Sequence, residues 1–167
     1  FRVQGRICIG DRLFGRGLGY QGLWIWLQHD IYGREQDCEM IASDDIYIDP
    51  GDLHSVAVQL GTRARGLSVK TGSDQGVQID EAALALILGR TKRTMRPGEP
   101  LFHFSQTTMR KYWTEEQLRA GILHPFKMHS IRHSKPSADA ASGRRSLEAI
   151  RRRGRWSQLK SVQLLPL

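Results

Sequence analysis

The chain has 167 residues, 40% of them hydrophobic and 25% charged, with a net charge of +8. That is enough for one domain with its own core and marginal for two, and it excludes a disordered or low-complexity chain. No apolar run approaches the ~20 residues of a membrane span, and no secretory signal pattern is present.

The chain starts at Phe1 rather than Met and reads as a fragment with an unseen upstream part. Residues 1–22 are rich in Gly and Arg, show no sustained period, and are expected to form a poorly defined segment ahead of a single domain over 23–167. Within them, Gly17-Leu18-Gly19-Tyr20-Gln21-Gly22 has the spacing of a dinucleotide fingerprint. That fingerprint needs a strand before it and an acid closing a second strand. Asp44 and Asp45 precede the apparent strand 46–48, which is the wrong end, so the match reads as coincidence in a Gly-rich loop. Cys8 and Cys38 are too few for a disulfide framework and lack metal-ligand spacing, so they read as reduced thiols of an intracellular protein.

Leu23-Trp24-Ile25-Trp26-Leu27, followed by Ile31, is a short buried helix or strand; its period does not decide between them. Residues 34–41 read as a helix after Gly33. Turn chemistry at Asp44-Asp45 and Asp49-Pro50-Gly51-Asp52 leads to strand-like pieces at 55–60, 67–70 and 77–79. Val56, Val58 and Leu60 alternate with Ala57 and Gln59, the period of a half-buried strand. A hairpin turn over 71–76 would join the last two pieces, leaving Lys70 at its mouth. Asp80 is a plausible N-cap for a helix over 82–88 that ends at Gly89. Further helices are expected over 106–120, 146–152 and 157–165. The fold class is therefore α+β and mostly helical, with a small antiparallel three-stranded sheet beside a helical bundle.

The chemistry concentrates late in the chain. In His129-Ser130-Ile131-Arg132-His133, residues three apart share a helix face, which would set an imidazole beside a guanidinium fork suited to a phosphodiester. Residues 1–123 hold 15 Lys/Arg against 15 Asp/Glu, whereas residues 124–167 hold 10 Lys/Arg against Asp139 and Glu148. The whole excess of charge thus accompanies this motif and the run Arg151, Arg152, Arg153 and Arg155, which are read as DNA contacts.

In this order the chain resembles the catalytic domain of the tyrosine recombinase (phage integrase) family. Gly33-Arg34-Glu35-Gln36-Asp37 with Asp44-Asp45-Ile46 is similar to that family's Arg-x-x-Glu helix and acidic pair. Lys70-Thr71-Gly72 is similar to its hairpin lysine, His129 to His133 to its His-x-x-Arg-His box, and Gly154-Arg155-Trp156 to its Gly-His or Gly-Trp. The resemblance implies DNA strand cleavage and rejoining through a 3′-phosphotyrosine, without a cofactor, metal or small-molecule substrate. Arg34 and Arg132 would clamp the phosphate and Lys70 would protonate the leaving oxygen. His129 would exchange a proton or bond the phosphate, Trp156 would offer an indole N–H, and His133 would orient the site. Double-stranded DNA is the implied partner, with room for self-association on DNA, no membrane role, and a nuclear location in a eukaryote. Each residue also has a plain structural alternative: Arg34 paired with Asp37, Lys70 an exposed hairpin lysine, Trp156 a core residue.

Three departures temper the resemblance. The family's nucleophilic tyrosine would fall at Leu165, and no tyrosine follows Tyr112, so the strand-breaking step is expected to be impaired. Pro136 falls inside the helix that should start at His129, so that helix must start later or kink. The DNA-clamping amino-terminal domain is absent from the sequence in hand. The competing expectation is a non-enzymatic basic module that grips nucleic acid with its Arg-rich C-terminal region.

Overall fold

The computed structural model describes residues 4–67 and 72–163. Along the chain come α1 (Gln4–Gly15), α2 (Gly19–Asp30), α3 (Glu35–Glu39), β1 (Ile46–Asp49), β2 (Asp52–Leu60), β3 (Gln75–Gln78), α4 (Ala82–Thr94), α5 (Gln106–Arg119), α6 (Ile131–Ala141), α7 (Leu147–Arg153) and α8 (Lys160–Gln163). The class is the α+β one expected, a three-stranded antiparallel sheet in the order β1-β2-β3 accompanied by helices.

The alternation at Val56, Val58 and Leu60 belongs to the central strand β2, where these three are buried and Ala57 and Gln59 are half-buried. Val58 lies opposite Ile46 on one side and Val77 on the other, so one sheet face is continuously apolar. The turn into β2 is closed by Asp49, whose Oδ1 accepts the Gly51 N–H at 2.8 Å. Strand membership differs from expectation at one place. Residues 63–65 form a 3-10 turn, Leu67 lies in no strand, and the rest of the expected strand over 67–70, Lys70 included, lies outside the described residues.

The amino-terminal stretch, expected to lack definition, is the helix α1 from Gln4 and the start of α2. Its period was illegible because Gly and Arg interrupt the apolar positions, and the reason becomes visible in the packing. A Cβ on Gly22 would lie 2.9 Å from the Gly10 carbonyl oxygen and 2.6 Å from the Phe14 ring, so only glycine lets α1 and α2 approach this closely. Arg12 of α1 and Arg16 just beyond it both pair with the fully buried Glu116 of α5. A helix, not a strand, precedes Gly17, so the fingerprint spacing has no nucleotide-binding context.

Trp24, fully buried on α2, anchors the core with the rings of Phe102 at 4.8 Å and Phe104 at 5.6 Å. Helix α4 runs past Gly89 to Thr94 and is capped at Glu81, not Asp80. Asp80 is drawn instead into ion pairs with Lys135, Arg145 and Arg153. Helix α5 ends near Gly121 and α7 starts at its N-cap Ser146, both as expected. Pro136 sits inside α6, which begins at Ile131, and His129 belongs to the 3-10 turn Met128–Ser130 just before it. Among the described residues no helix is long and apolar enough to cross a membrane.

Candidate functional site

The site is assembled where the α2–α3 link, the start of α6 and the end of α7 meet. Arg34 is the N-cap of α3, and its backbone N–H donates to Asp37 Oδ2 at 2.8 Å. That same oxygen accepts from Arg155 Nη2 at 2.9 Å and lies 3.9 Å from Arg132 Nη1. The expected pairing of the Arg34 side chain with Asp37 is not made. Arg34 Nη1 is buried with no hydrogen-bond partner, and the carboxylate of neighbouring Glu35 is engaged by Arg110.

Arg132 is only 2% exposed. It donates from Nη1 to the Tyr32 carbonyl at 2.6 Å and from Nη2 to the Gly154 carbonyl at 2.5 Å, and its guanidinium lies 4.8 Å from the Trp156 ring centroid. Burial, and then the charges of Arg34 and Arg155, push its pKa down to about 9, so it is still a cation at neutral pH. His129, although only three residues away, is exposed, so the shared helix face expected for the pair is not formed. Its ring meets that of His133 at 5.2 Å, and His133 in turn stacks 6.1 Å from Trp156. Partial burial, then Arg132, lowers the His129 pKa below 6.5.

Trp156 is delivered by the way α7 ends. The N–H of Trp156 donates to the Arg151 carbonyl and that of Arg155 to the Arg152 carbonyl, both at 3.0 Å, and Arg155 takes the left-handed φ of +56°. A Cβ on Gly154 would fall 1.9 Å from the Trp156 ring, so the glycine is what lets the indole fold back. Two guanidinium groups, of Arg155 and Arg132, thus face the one carboxylate of Asp37, which also accepts the Arg34 backbone N–H, with an indole wall and an exposed imidazole at the side. Such a net-positive pocket, holding an unsatisfied planar donor, is chemically suited to a phosphate oxygen pair.

Behind this centre lies an ion network that the sequence did not announce. Asp30 pairs with Lys135 and Arg153, and Asp80 with Lys135, Arg145 and Arg153. Asp139 pairs with Arg145 and accepts the Tyr32 hydroxyl. Tyr32, at φ +54° and fully buried, therefore joins the two systems, its carbonyl serving Arg132 and its hydroxyl serving Asp139. Burial, then that hydrogen bond, raises the Tyr32 pKa, so its hydroxyl stays protonated at neutral pH. The one available signal was spacing: Arg132, Lys135 and Asp139 recur on one face of α6. A cavity of about 490 Å³ lies against Ile25, Trp26, Leu84, Lys135 and Asp139, and none of the predicted site residues lines it. Among the described residues no cluster of three or more His, Cys, Asp or Glu could hold a metal ion.

No protein-family model and no curated protein sequence matches the chain. Solved structures do. The XerH site-specific recombinase bound to difH substrate in a pre-cleavage complex superposes with a TM-score of 0.68 at 14% identity, over 96% of this chain and 47% of that one. The same recombinase in a post-cleavage complex with palindromic difH substrate gives 0.70 at 14% identity, over 97% and 46%. XerA recombinase gives 0.69 at 14% identity, over 94% and 57%. The fold is that of the tyrosine-recombinase catalytic domain. The likeness is one of fold, and the chain spans about half the length of these recombinases.

On this recombinase fold Arg34, His129, Arg132 and Trp156 come together, with His133 linking the imidazole to the indole. Lys70 and Leu165 lie outside the described residues. The arginine run is not the open cationic strip expected of it. Side-chain exposure is 6% for Arg155, paired with Asp37, and 10% for Arg153, paired with Asp30 and Asp80. Arg151 and Arg152 share Glu148, and of the four only Arg152, at 75%, is mostly exposed. The run reads as surface charge locally because the acids that bury Arg153 and Arg155, which are Asp30, Asp80 and Asp37, come from far earlier in the chain.

Proposed function

We propose that this domain binds the phosphodiester backbone of duplex DNA at the Arg34 centre, a site built for the strand cleavage and rejoining of recombination and integration. The unpartnered, buried Nη1 of Arg34, in a cluster whose cationic groups outnumber its single carboxylate, is the observation that carries this. A buried donor without a partner costs free energy, which an incoming phosphate oxygen would recover. Arg34 holds the scissile phosphate, the buried Arg132 adds its positive charge from behind, His129 and the Trp156 indole N–H contact it from the side, and Lys70 serves as acid to the leaving oxygen. Leucine at position 165 has no lone pair to attack phosphorus, so the covalent step is lost and a DNA-binding relic of a mobile element remains. Similarity to XerH, solved as pre- and post-cleavage complexes with its substrate, supports the recombination setting. Self-association on DNA follows if two such centres engage neighbouring phosphates.

The test has two parts. Arg34→Ala should weaken binding to a labelled duplex by about tenfold, the worth of a charge-assisted phosphate contact. Incubation with nicked duplex should leave no covalent protein–DNA adduct on a denaturing gel. Unchanged affinity in Arg34→Ala would remove the phosphate site, and an adduct would overturn the assignment of a lost nucleophile.

A further inference from the structure

Arg155 stands out because it occupies a backbone conformation that costs a non-glycine residue free energy. It sits at the left-handed position of the turn closing α7, with φ +56°, where glycine is the usual occupant. The strain is held by what the side chain reaches. Its Nη2 donates to Asp37 Oδ2 at 2.9 Å, and its Nη1 lies 3.4 Å from the Ile31 carbonyl and 3.3 Å from the Arg153 carbonyl. With 6% side-chain exposure it has almost no surface to offer DNA directly.

From this geometry we infer that Arg155 is a positioning residue, acting on the phosphate site through Asp37 and through the turn that presents Trp156. The inference rests on the phosphate-binding role given to Arg34. Asp37 Oδ2 accepts both the Arg34 backbone N–H and the Arg155 guanidinium, so the ion pair ties the N-cap of α3 to the end of α7. The same turn carries Gly154, whose carbonyl accepts from Arg132, and Trp156, whose ring covers Arg132. Arg155 thereby fixes Arg34, Arg132 and Trp156 relative to one another. Preorganisation of this kind acts on affinity more than on fold, since a glycine in its place would lose the tie yet relieve the backbone strain.

The experiment is a double-mutant cycle on the full 167-residue chain, read by binding to a labelled DNA duplex at fixed salt. Arg155→Gly keeps the left-handed turn; Arg155→Asn, the best-tolerated non-glycine residue there, guards against a glycine-specific folding defect. Either change should weaken binding about tenfold when Arg34 is present and less than about twofold in an Arg34→Ala background, because the effect passes through Arg34. A contribution of Arg155 as plain charge or plain scaffold predicts equal losses in both backgrounds, and that result overturns the inference. So does unaltered affinity in both Arg155 variants while Arg34→Ala binds weakly, an outcome that leaves the phosphate site standing. If Arg34→Ala binds as tightly as the unaltered protein, the phosphate site itself falls and Arg155 has nothing to position.

Discussion

Asp37→Asn removes one negative charge and almost no volume. The amide oxygen can still accept the Arg34 backbone N–H, so α3 keeps its cap. What disappears is the counter-charge for Arg155 at 2.9 Å and for Arg132 at 3.9 Å, whose side chains are 6% and 2% exposed. Taking one partner from a buried ion pair costs ~3–5 kcal/mol, and the retained hydrogen bonding places this substitution near the lower end, about 3 kcal/mol. At roughly 2–4 °C per kcal/mol for a domain of this size, the melting midpoint should fall by about 6–12 °C. Circular dichroism at neutral pH measures the midpoint, and repeating the melt with inorganic phosphate adds a second reading. An anion bound only by the folded state stabilises it by mass action, and the variant, with one more uncompensated positive charge, should gain more from phosphate than the unaltered chain. A midpoint within ~2 °C of the unaltered protein, with no extra gain from phosphate, would show that Asp37 is not what balances the buried guanidinium groups.

Gly154→Ala should displace Trp156, because the added Cβ falls 1.9 Å from the ring; loss of stability by about 1–3 kcal/mol is expected together with weaker DNA binding, read by denaturant melts and duplex titration. Gly22→Ala should cost a similar ~1–3 kcal/mol by forcing α1 from α2 while leaving the relative effect of Arg34→Ala on DNA affinity unchanged. His129 binds its proton less tightly folded than unfolded, so the unfolded state takes up more protons as pH falls through 6.5 and stability declines there. His129→Gln should flatten that part of the pH–stability profile, and a profile parallel to that of the unaltered chain between about pH 7 and 5 would refute the assigned environment.

Local order was legible wherever one element's own period or punctuation sufficed. The alternation at Val56, Val58 and Leu60 marked β2 and Ser146 marked the start of α7, whereas Pro136, which called for a later start or a kink, still lies inside an α6 that begins at Ile131. Elements whose pattern is set by a neighbour were not legible. Helix α1 hides its period behind the glycine that lets it touch α2, and α4 runs through Gly89 because burial offsets a poor helix former.

The sequence by itself determined the fold class, the order of the Arg34, His129, Arg132 and Trp156 motifs, and the leucine at position 165. Only the tertiary structure decided what each charge does. Arg153 and Arg155 look like two more cations in a basic tail, yet they are buried against Asp30 and Asp37 from the other end of the chain. Arg34, although Asp30, Glu35, Asp37 and Glu39 lie within five residues of it, keeps a buried Nη1 donor unspent. The reason is physical: a side chain's charge is neutralised by whatever lies within a few ångströms of it, and in a folded chain that distance is set by packing and not by sequence separation.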